Sequence, residues 1–215
     1  MILALCGQKG GSGKTTAAVN RAAELVRRGR RVLLVDADTQ GSARTWGAKA
    51  RARDGAKAPD VIAGDDTMHK RLPSAAREYD AIVIDCAGRA DHVQRSALAV
   101  ADVAVIPCSS GAVDGWALAE TVEQIQAAQQ LRPSLRVRAL VSRVDMRRAV
   151  GRQVYELIKA AGLTALRAEL QDRAEYEEAQ YAGQGVTTWA PSSTAAEEVR
   201  ALVDELLKLG GKRNG

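Results

Sequence analysis

The segment 7–16 reads GQKGGSGKTT and constrains the fold of this chain more than any other feature. It follows a short apolar run at 2–6, which has the length of a strand, and it precedes an amphipathic stretch at 14–28 with helical periodicity. Glycines lack Cβ atoms, so successive backbone N–H groups can converge on an anion at the positive end of the following helix. The segment therefore predicts a phosphate loop between a strand and a helix.

The side chains of this phosphate loop (residues 7–16) predict a bound nucleotide and a magnesium ion. Lys14 is placed to reach the β and γ phosphates, and the Thr15 hydroxyl is placed to bind Mg²⁺. The strict pattern with four residues between its first two glycines is not met, because Gln8 occupies the first glycine position and Lys9 is an additional lysine. The expected nucleotide-binding residues are Lys9, Gly10, Gly11, Ser12, Gly13, Lys14, Thr15 and Thr16.

Short apolar runs alternate with longer amphipathic stretches along the whole chain. The predicted strands are Ile2–Cys6, Val32–Val35, Ala81–Ile84, Val103–Ile106 and Arg138–Val141, with a further short strand around Leu163–Leu170. The predicted helices are Lys14–Arg28, Met68–Arg77, Val93–Val100, Val113–Gln130, Val150–Ala161 and Ala195–Leu209. This order predicts an α/β fold with a mostly parallel, twisted sheet and helices on both faces.

The length of 215 residues fits one domain, which we expect to span 1–209, followed by a flexible tail at 210–215. A second flexible piece is expected at Arg51–Asp60. Because the phosphate loop begins within the first ten residues, an N-terminal helix-turn-helix domain is not expected. The first residues lack a basic leader, and no stretch approaches the roughly 18 apolar residues of a membrane span. A cytoplasmic location is expected.

Cysteine usage gives no sign of a metal or redox motif. The three cysteines, Cys6, Cys86 and Cys108, are widely spaced and form no C-x-x-C pair. Buried reduced thiols are therefore expected.

Two acidic residues are expected to join the phosphate loop at one edge of the sheet. Asp38 follows the second predicted strand, and Asp85 closes a later one. Carboxyl ends of parallel strands form the ligand-binding edge of open α/β sheets. Thr15, Asp38 and Asp85 are thus the candidate Mg²⁺ ligands, directly or through water, and Asp36 is the second choice for the role of Asp38.

Four segments together resemble the deviant Walker A ATPases, most closely the small ParA-type partition proteins. The variant KGGSGKT is followed by VDADTQG at 35–41, similar to the family's D-x-D-P-Q-G, and by YDAIVID at 79–85, similar to its Walker B strand; VIP at 105–107 also matches. Two departures are Thr39, where the family usually has proline, and the absence of proline after Asp85.

The resemblance implies a slow ATPase that forms an ATP-dependent homodimer. Lys9 is similar to the signature lysine that contacts the partner subunit's nucleotide, so the implied catalytic residues are Lys9, Lys14 and Asp38. The implied function is DNA partition, in which the dimer binds nonspecific double-stranded DNA and a ParB-like adaptor stimulates hydrolysis. The alternative is an ATPase that positions a protein assembly, such as a chemoreceptor cluster or a microcompartment.

The charge of the chain permits a polyanionic partner without requiring one. Its formal net charge is +5 and its isoelectric point is near 9.3. The candidate DNA-binding residues are Arg147, Arg148, Arg152 and Lys159, with Arg167 and Arg173 beyond them. A MinD-like membrane anchor is not expected, since the last helix carries four acids against two bases.

Overall fold

The computed structural model describes residues 1–8, 10–53, 55, 57–88, 91–109, 115–144 and 149–211. The strands in this part of the chain are β1 (Ile2–Leu5), β2 (Val32–Ala37), β3 (Asp60–Ala63), β4 (Ala81–Cys86), β5 (Val103–Cys108), β6 (Arg136–Val144) and β7 (Leu170–Gln171). The helices are α1 (Lys14–Arg27), α2 (Ser42–Ala52), α3 (Met68–Ala75), α4 (Asp91–Leu98), α5 (Gly115–Leu131), α6 (Ala149–Ala160), α7 (Ala174–Tyr181), α8 (Val186–Trp189) and α9 (Thr194–Gly210).

The strands form a parallel sheet in the order β3-β2-β4-β1-β5-β6-β7. Every residue of β1, β2 and β4 is buried, as expected for central parallel strands that are covered on both faces. One core cluster joins the sheet to α1, α2 and α9, and a second joins the opposite face to α3, α4 and α5. The predicted α/β architecture is confirmed.

All five confidently predicted strands and all six predicted helices are present with small shifts at their ends, but the sequence prediction missed α2, β3, α7 and α8. Arg51 and Ala52 belong to α2 and Asp60 begins β3, so describing the whole of 51–60 as a flexible piece was wrong. The strand expected around Leu163–Leu170 is reduced to a bridge at Ala165 and the two-residue β7.

The last helix packs on the domain. One face of α9, which includes Val199, Leu202 and Leu206, is buried in the core beside α1. Burial of such a face is worth about 25 cal/mol per Å² of apolar surface, which holds the helix in place. In the ranges that the structure covers, no helix combines the length and apolar character needed to cross a bilayer. Residues 212–215 of the expected tail lie outside the described residues.

The three cysteines are free thiols, as predicted. Cys6 and Cys86 are buried, with their Sγ atoms 3.8 Å apart, and Cys108 is half-buried.

Candidate nucleotide-binding site

The phosphate loop connects β1 to the first turn of α1, as predicted. Gly11 and Gly13 adopt positive φ angles of 76° and 95°, which side-chain-bearing residues avoid. Gly13 is the N-cap of α1, and its carbonyl accepts the first helical hydrogen bond from the Ala17 N–H. A Cβ atom at Gly13 would lie 2.2 Å from Ser142 Oγ on β6. The positive φ angle and the close approach of Ser142 therefore both require glycine at position 13. Because glycine has no side chain, the backbone N–H groups at the helix N-terminus are accessible to an anion.

Lys14 places a cation at the centre of this loop. Its side chain is largely buried, and burial lowers the pKa of the ammonium group while the nearby Asp85 carboxylate opposes that effect. A partly desolvated ammonium gains most from an anionic partner. Lys14 is thus suited to bind phosphate oxygens.

Asp85 lies at the end of β4 and is 1% exposed. Among the described residues, neither of its carboxylate oxygens has a hydrogen-bond partner. Burial raises the pKa of Asp85 to about 7, although the neighbouring Thr15 hydroxyl and the Lys14 ammonium act in the opposite direction. An ionised carboxylate in this environment raises the free energy of the folded protein, and its oxygens are available to bind a cation.

Asp36 and Asp38 have different environments, although only one residue separates them. Asp36 is buried, and its two oxygens accept backbone N–H groups from Asp38 at 3.1 Å and Arg44 at 2.8 Å. Asp38 is only partly buried and accepts the Gln40 N–H at 2.9 Å. Asp36 therefore shapes the turn before α2, whereas Asp38 faces the site. This arrangement favours Asp38 over Asp36 as the functional residue.

A cleft of about 570 Å³, which we call the phosphate cleft, runs from the phosphate loop to α2 and α7. It is lined by the loop residues 10–16, by Asp38 and by Gly88, and its outer wall contains Lys49, Arg143 and Tyr181. The size lies within the range of roughly 300–1,000 Å³ that ligand sites occupy. A second cleft of about 870 Å³ adjoins it and shares Gly10, Asp38 and Gly88.

The donors present fit Mg²⁺ held jointly with a nucleotide. Within the described ranges, no three His, Cys, Asp or Glu side chains form a metal cluster. Mg²⁺ typically uses one or two carboxylates together with water and phosphate oxygens. The Thr15 hydroxyl and the unpaired Asp85 oxygens supply the protein's share of such a set.

The structure brings most of the predicted site residues together. Loop residues 10–16, Asp38 and Asp85 all lie at the carboxyl edge of the sheet. Lys9 lies outside the described residues, as do Arg147 and Arg148.

The remaining predicted DNA-binding residues have separate positions. Arg152 is on α6, but its side chain is not among those described, whereas Lys159 is exposed on the same helix. Arg173 forms an ion pair with Glu198 at 2.7 Å, so it joins α7 to α9 and is not a free cation. Arg167 is exposed.

The outer wall of the phosphate cleft was not predicted. Lys49 on α2 lies 4.4 Å from the ring centroid of Tyr181 on α7, and its ammonium donates to the Tyr181 carbonyl at 3.1 Å. Both helices were missed, and so were these residues. Arg143, also in this wall, has a φ of 56° and pairs with Glu177 at 3.6 Å.

A parallel sheet with a glycine loop, a buried lysine and a buried aspartate at its carboxyl edge defines a phosphate-loop nucleotide-binding protein. The chain belongs to the family described as the CobQ/CobB/MinD/ParA nucleotide binding domain, which matches residues 3–186.

Three known proteins illustrate this membership. The chain is 30% identical over 207 residues to maintenance of carboxysome distribution protein A of Halothiobacillus neapolitanus, covering 95% of each protein. It is 32% identical over 239 residues to the chromosome-partitioning ATPase Soj of Thermus thermophilus, covering 95% of this chain and 94% of Soj. Its fold matches Mycobacterium smegmatis cobyrinic acid a,c-diamide synthase with bound ATP analogue and magnesium, with a TM-score of 0.78 at 22% identity over 98% and 95% of the two chains.

Proposed function

We propose that this protein is an ATP-dependent DNA-segregation ATPase. ATP binding forms a dimer that binds nonspecific double-stranded DNA, and a ParB-like centromere-binding adaptor stimulates slow hydrolysis and release. The buried Lys14 ammonium and the nearby buried Asp85 carboxylate, at the carboxyl edge of the sheet that carries the glycine loop, support the ATPase part of this proposal. The similarity to a chromosome-partitioning ATPase supports the DNA part. The proposed location is the cytoplasm, on the nucleoid.

Each site residue has a role that follows from its charge and position. The backbone N–H groups of 10–16 and the Lys14 ammonium neutralise the β and γ phosphates. Asp38, which follows the end of β2 and lines the cleft, orients the attacking water. Thr15 and Asp85 hold Mg²⁺, Asp85 through water, and the bound ion supplies further neutralisation of phosphate charge.

Lys9 is proposed to act across the dimer interface. Charge stabilisation by the partner subunit makes hydrolysis conditional on dimer formation. We expect Lys9→Ala to bind ATP while failing to form the ATP dimer and failing to respond to the adaptor. A Lys9→Ala variant that dimerises and hydrolyses ATP normally would remove Lys9 from this role.

Binding to DNA is proposed to use the basic surface of α6 and the residues before it. Lys159 is exposed there, with Arg147, Arg148 and Arg152 nearby in sequence. Contacts between such side chains and phosphates release counterions, so DNA affinity falls steeply with salt and depends little on sequence.

The first experiment measures binding to random-sequence duplex DNA with ATP, ADP or no nucleotide, at two salt concentrations. Binding that requires ATP and weakens steeply with salt supports the proposal. Lys159→Gln should reduce the salt slope by about one, because it removes one phosphate contact. Lys208→Gln on α9 is the matched control, since Lys208 is exposed on another helix. The absence of DNA binding in every nucleotide state refutes the DNA proposal.

A second candidate function is the positioning of a protein assembly. The similarity to a maintenance of carboxysome distribution protein, which extends over 95% of both chains, favours it. Isolation of the partner that stimulates hydrolysis separates the two functions. An adaptor that binds a specific DNA site supports segregation, whereas an adaptor that joins a protein array supports positioning.

A further inference from the structure

Side chains from α4 and α5, which pack on the sheet face opposite to α1, accept hydrogen bonds from the first two residues of the phosphate loop. The Gly7 N–H donates to Gln94 Oε1 on α4 at 3.2 Å, and the Gln8 N–H donates to Thr121 Oγ1 on α5 at 3.2 Å. Gln94 is 3% exposed and Thr121 is 1% exposed. In so dry an environment, water does not readily replace either hydrogen bond.

The donor and acceptor pattern fixes how these two side chains are oriented. The N–H of Gly7 can donate only to the amide oxygen of Gln94, so the Gln94 Nε2 faces away and donates to Gln124 Oε1 at 2.5 Å. The Thr121 hydroxyl donates to the Ala117 carbonyl at 2.7 Å, which leaves its oxygen to accept from Gln8. Helices α4 and α5 are thus joined to each other and to the start of the loop.

Helix α4 also lines the second cleft, through His92 and Val93. It begins at Asp91, shortly after Gly88, and Gly88 lines both the phosphate cleft and the second cleft. Gln94 stands in the first turn of this helix. Any displacement of the chain at Gly88 that moves the start of α4 is therefore transmitted, through Gln94, to the Gly7 amide.

We infer that Gln94 is a positioning residue that sets the backbone just before Lys9 and couples the position of α4 to formation of the ATP dimer. This inference rests on the proposed function of Lys9. Among the described residues, the phosphate cleft is lined by 10–16 and not by Gly7 or Gln8, so we expect the hydrogen bond from Gly7 to influence the dimer more than it influences binding of ADP.

The test replaces Gln94 by methionine, which has a similar volume and lacks the amide. The matched control is Gln129→Met on α5, because Gln129 also donates one hydrogen bond, to the Leu135 carbonyl at 2.9 Å. In Gln94→Met we expect ATP-dependent dimerisation to weaken about tenfold, as befits one buried hydrogen bond. The ADP affinity should stay within about twofold of wild type, whereas the melting temperature should fall below that of the control, because the buried Gly7 N–H loses its acceptor.

The outcomes separate a positioning role from a structural one. Wild-type dimerisation in Gln94→Met overturns the inference, and so does a loss of ADP affinity as large as the loss of dimerisation. Gln124→Met should weaken the dimer less than Gln94→Met, and the double variant should match Gln94→Met, because both changes act on one network.

A direct readout keeps this inference distinct from the proposed function. In the nucleotide-free protein, amide hydrogen exchange at Gly7 should be slow in wild type and at least tenfold faster in Gln94→Met. If the wild-type protein does not dimerise with ATP, the proposed function is refuted. The inference is then tested by the ratio of ATP affinity to ADP affinity. An unchanged ratio in Gln94→Met then overturns it.

Discussion

Asp36 and Asp85 are register partners on the adjacent parallel strands β2 and β4, and in the described part of the chain Asp36 accepts two backbone hydrogen bonds whereas Asp85 accepts none. Both side chains are 1% exposed. Asp36 is stabilised by the Asp38 and Arg44 amides and organises the backbone, whereas no backbone N–H group of the described residues donates to Asp85. The two buried carboxylates lie side by side at one edge of the sheet, and their environments suit them to different roles, structural for Asp36 and ligand-binding for Asp85.

Asp85→Asn should stabilise the protein in the absence of nucleotide and magnesium. Burial raises the pKa of Asp85 to about 7, so the folded protein binds a proton more tightly than the unfolded chain does. Stability should therefore fall as the pH rises from about 4 to 7. Because asparagine does not ionise, the variant should not show this decrease. Urea unfolding in EDTA at pH 8 should give a free energy of unfolding about 2–4 kcal/mol higher than that of wild type.

Asp36→Asn is the contrasting variant. It replaces a carboxylate that accepts two backbone N–H groups, and we expect it to lose about 1–3 kcal/mol of stability. Equal destabilisation by both substitutions would contradict the assignment of different roles. Loss of magnesium-dependent nucleotide binding is expected for Asp85→Asn.

Local sequence signals were sufficient for the glycine loop, the central strands and the acidic residues at their ends. The apolar run at 81–84 and the glycines at 10–13 carry their structure within a few residues. Helix α2 was missed because its buried positions include small residues such as Ala43 and Ala50, and β3 because it is largely exposed. Contacts between segments that are far apart in the sequence could not be predicted, because no local pattern indicates which distant residue is the partner.

The tether from Gln94 to Gly7 is an example of such a contact. The two residues are 87 positions apart, and a glutamine in an amphipathic helix gives no indication of its partner. Lys49 and Tyr181 are 132 positions apart, and they meet only because the end of α7 lies beside α2. Long-range packing thus decides the parts of the site that could not be predicted.

Glu24→Gln should cost stability at neutral pH and little in acid. Glu24 is buried on α1, where burial would raise the pKa of its carboxyl, but hydrogen bonds from Arg27 and Arg28 outweigh this and lower it to about 2. The stabilisation is complete above the unfolded pKa of about 4.3 and disappears as the pH falls through 2. We expect a loss of about 2–3 kcal/mol at pH 7.

Urea unfolding between pH 3 and 7 tests this expectation, with the exposed Glu123→Gln as control. The difference between wild type and Glu24→Gln should shrink steadily below pH 4, whereas the control should stay within about 0.5 kcal/mol of wild type. A difference that is independent of pH would assign the loss to packing.

Arg21→Met should increase the free energy of unfolding. Arg21 is 1% exposed on α1, and within the described part of the chain none of its guanidinium nitrogens has a hydrogen-bond partner. Burial lowers the pKa of Arg21 to about 10, which reflects the cost of this unpaired charge. A methionine of similar length removes the cost, and a gain of about 1–3 kcal/mol is expected.

Thermal and urea unfolding of Arg21→Met should be compared with Arg30→Met, where the exposed arginine follows the end of α1. That control should change stability by less than about 0.5 kcal/mol. Destabilisation by Arg21→Met would show that the guanidinium has a stabilising partner in solution.

Gly13→Ala should disable the phosphate loop, and a second glycine of the chain provides its control. Gly13 and Gly29 both have positive φ angles, of 95° and 80°, but a Cβ at Gly29 would meet no atom within 4 Å. Gly29→Ala should therefore cost only the backbone strain of about 1–2 kcal/mol. Gly13→Ala adds the clash with Ser142 Oγ, so it should lose at least about 3 kcal/mol and bind ATP more than 100-fold more weakly.

The double variant Gly13→Ala/Ser142→Ala separates strain from clash. Removal of Ser142 Oγ leaves the nearest remaining atom, Ser142 Cβ, at 3.4 Å from the new methyl group, which is an ordinary contact. Its stability should return to the level of Gly29→Ala, because only the backbone term remains. Urea unfolding and titration with a fluorescent ATP analogue measure both effects. No recovery of stability in the double variant would show that β6 does not pack against the loop at this distance.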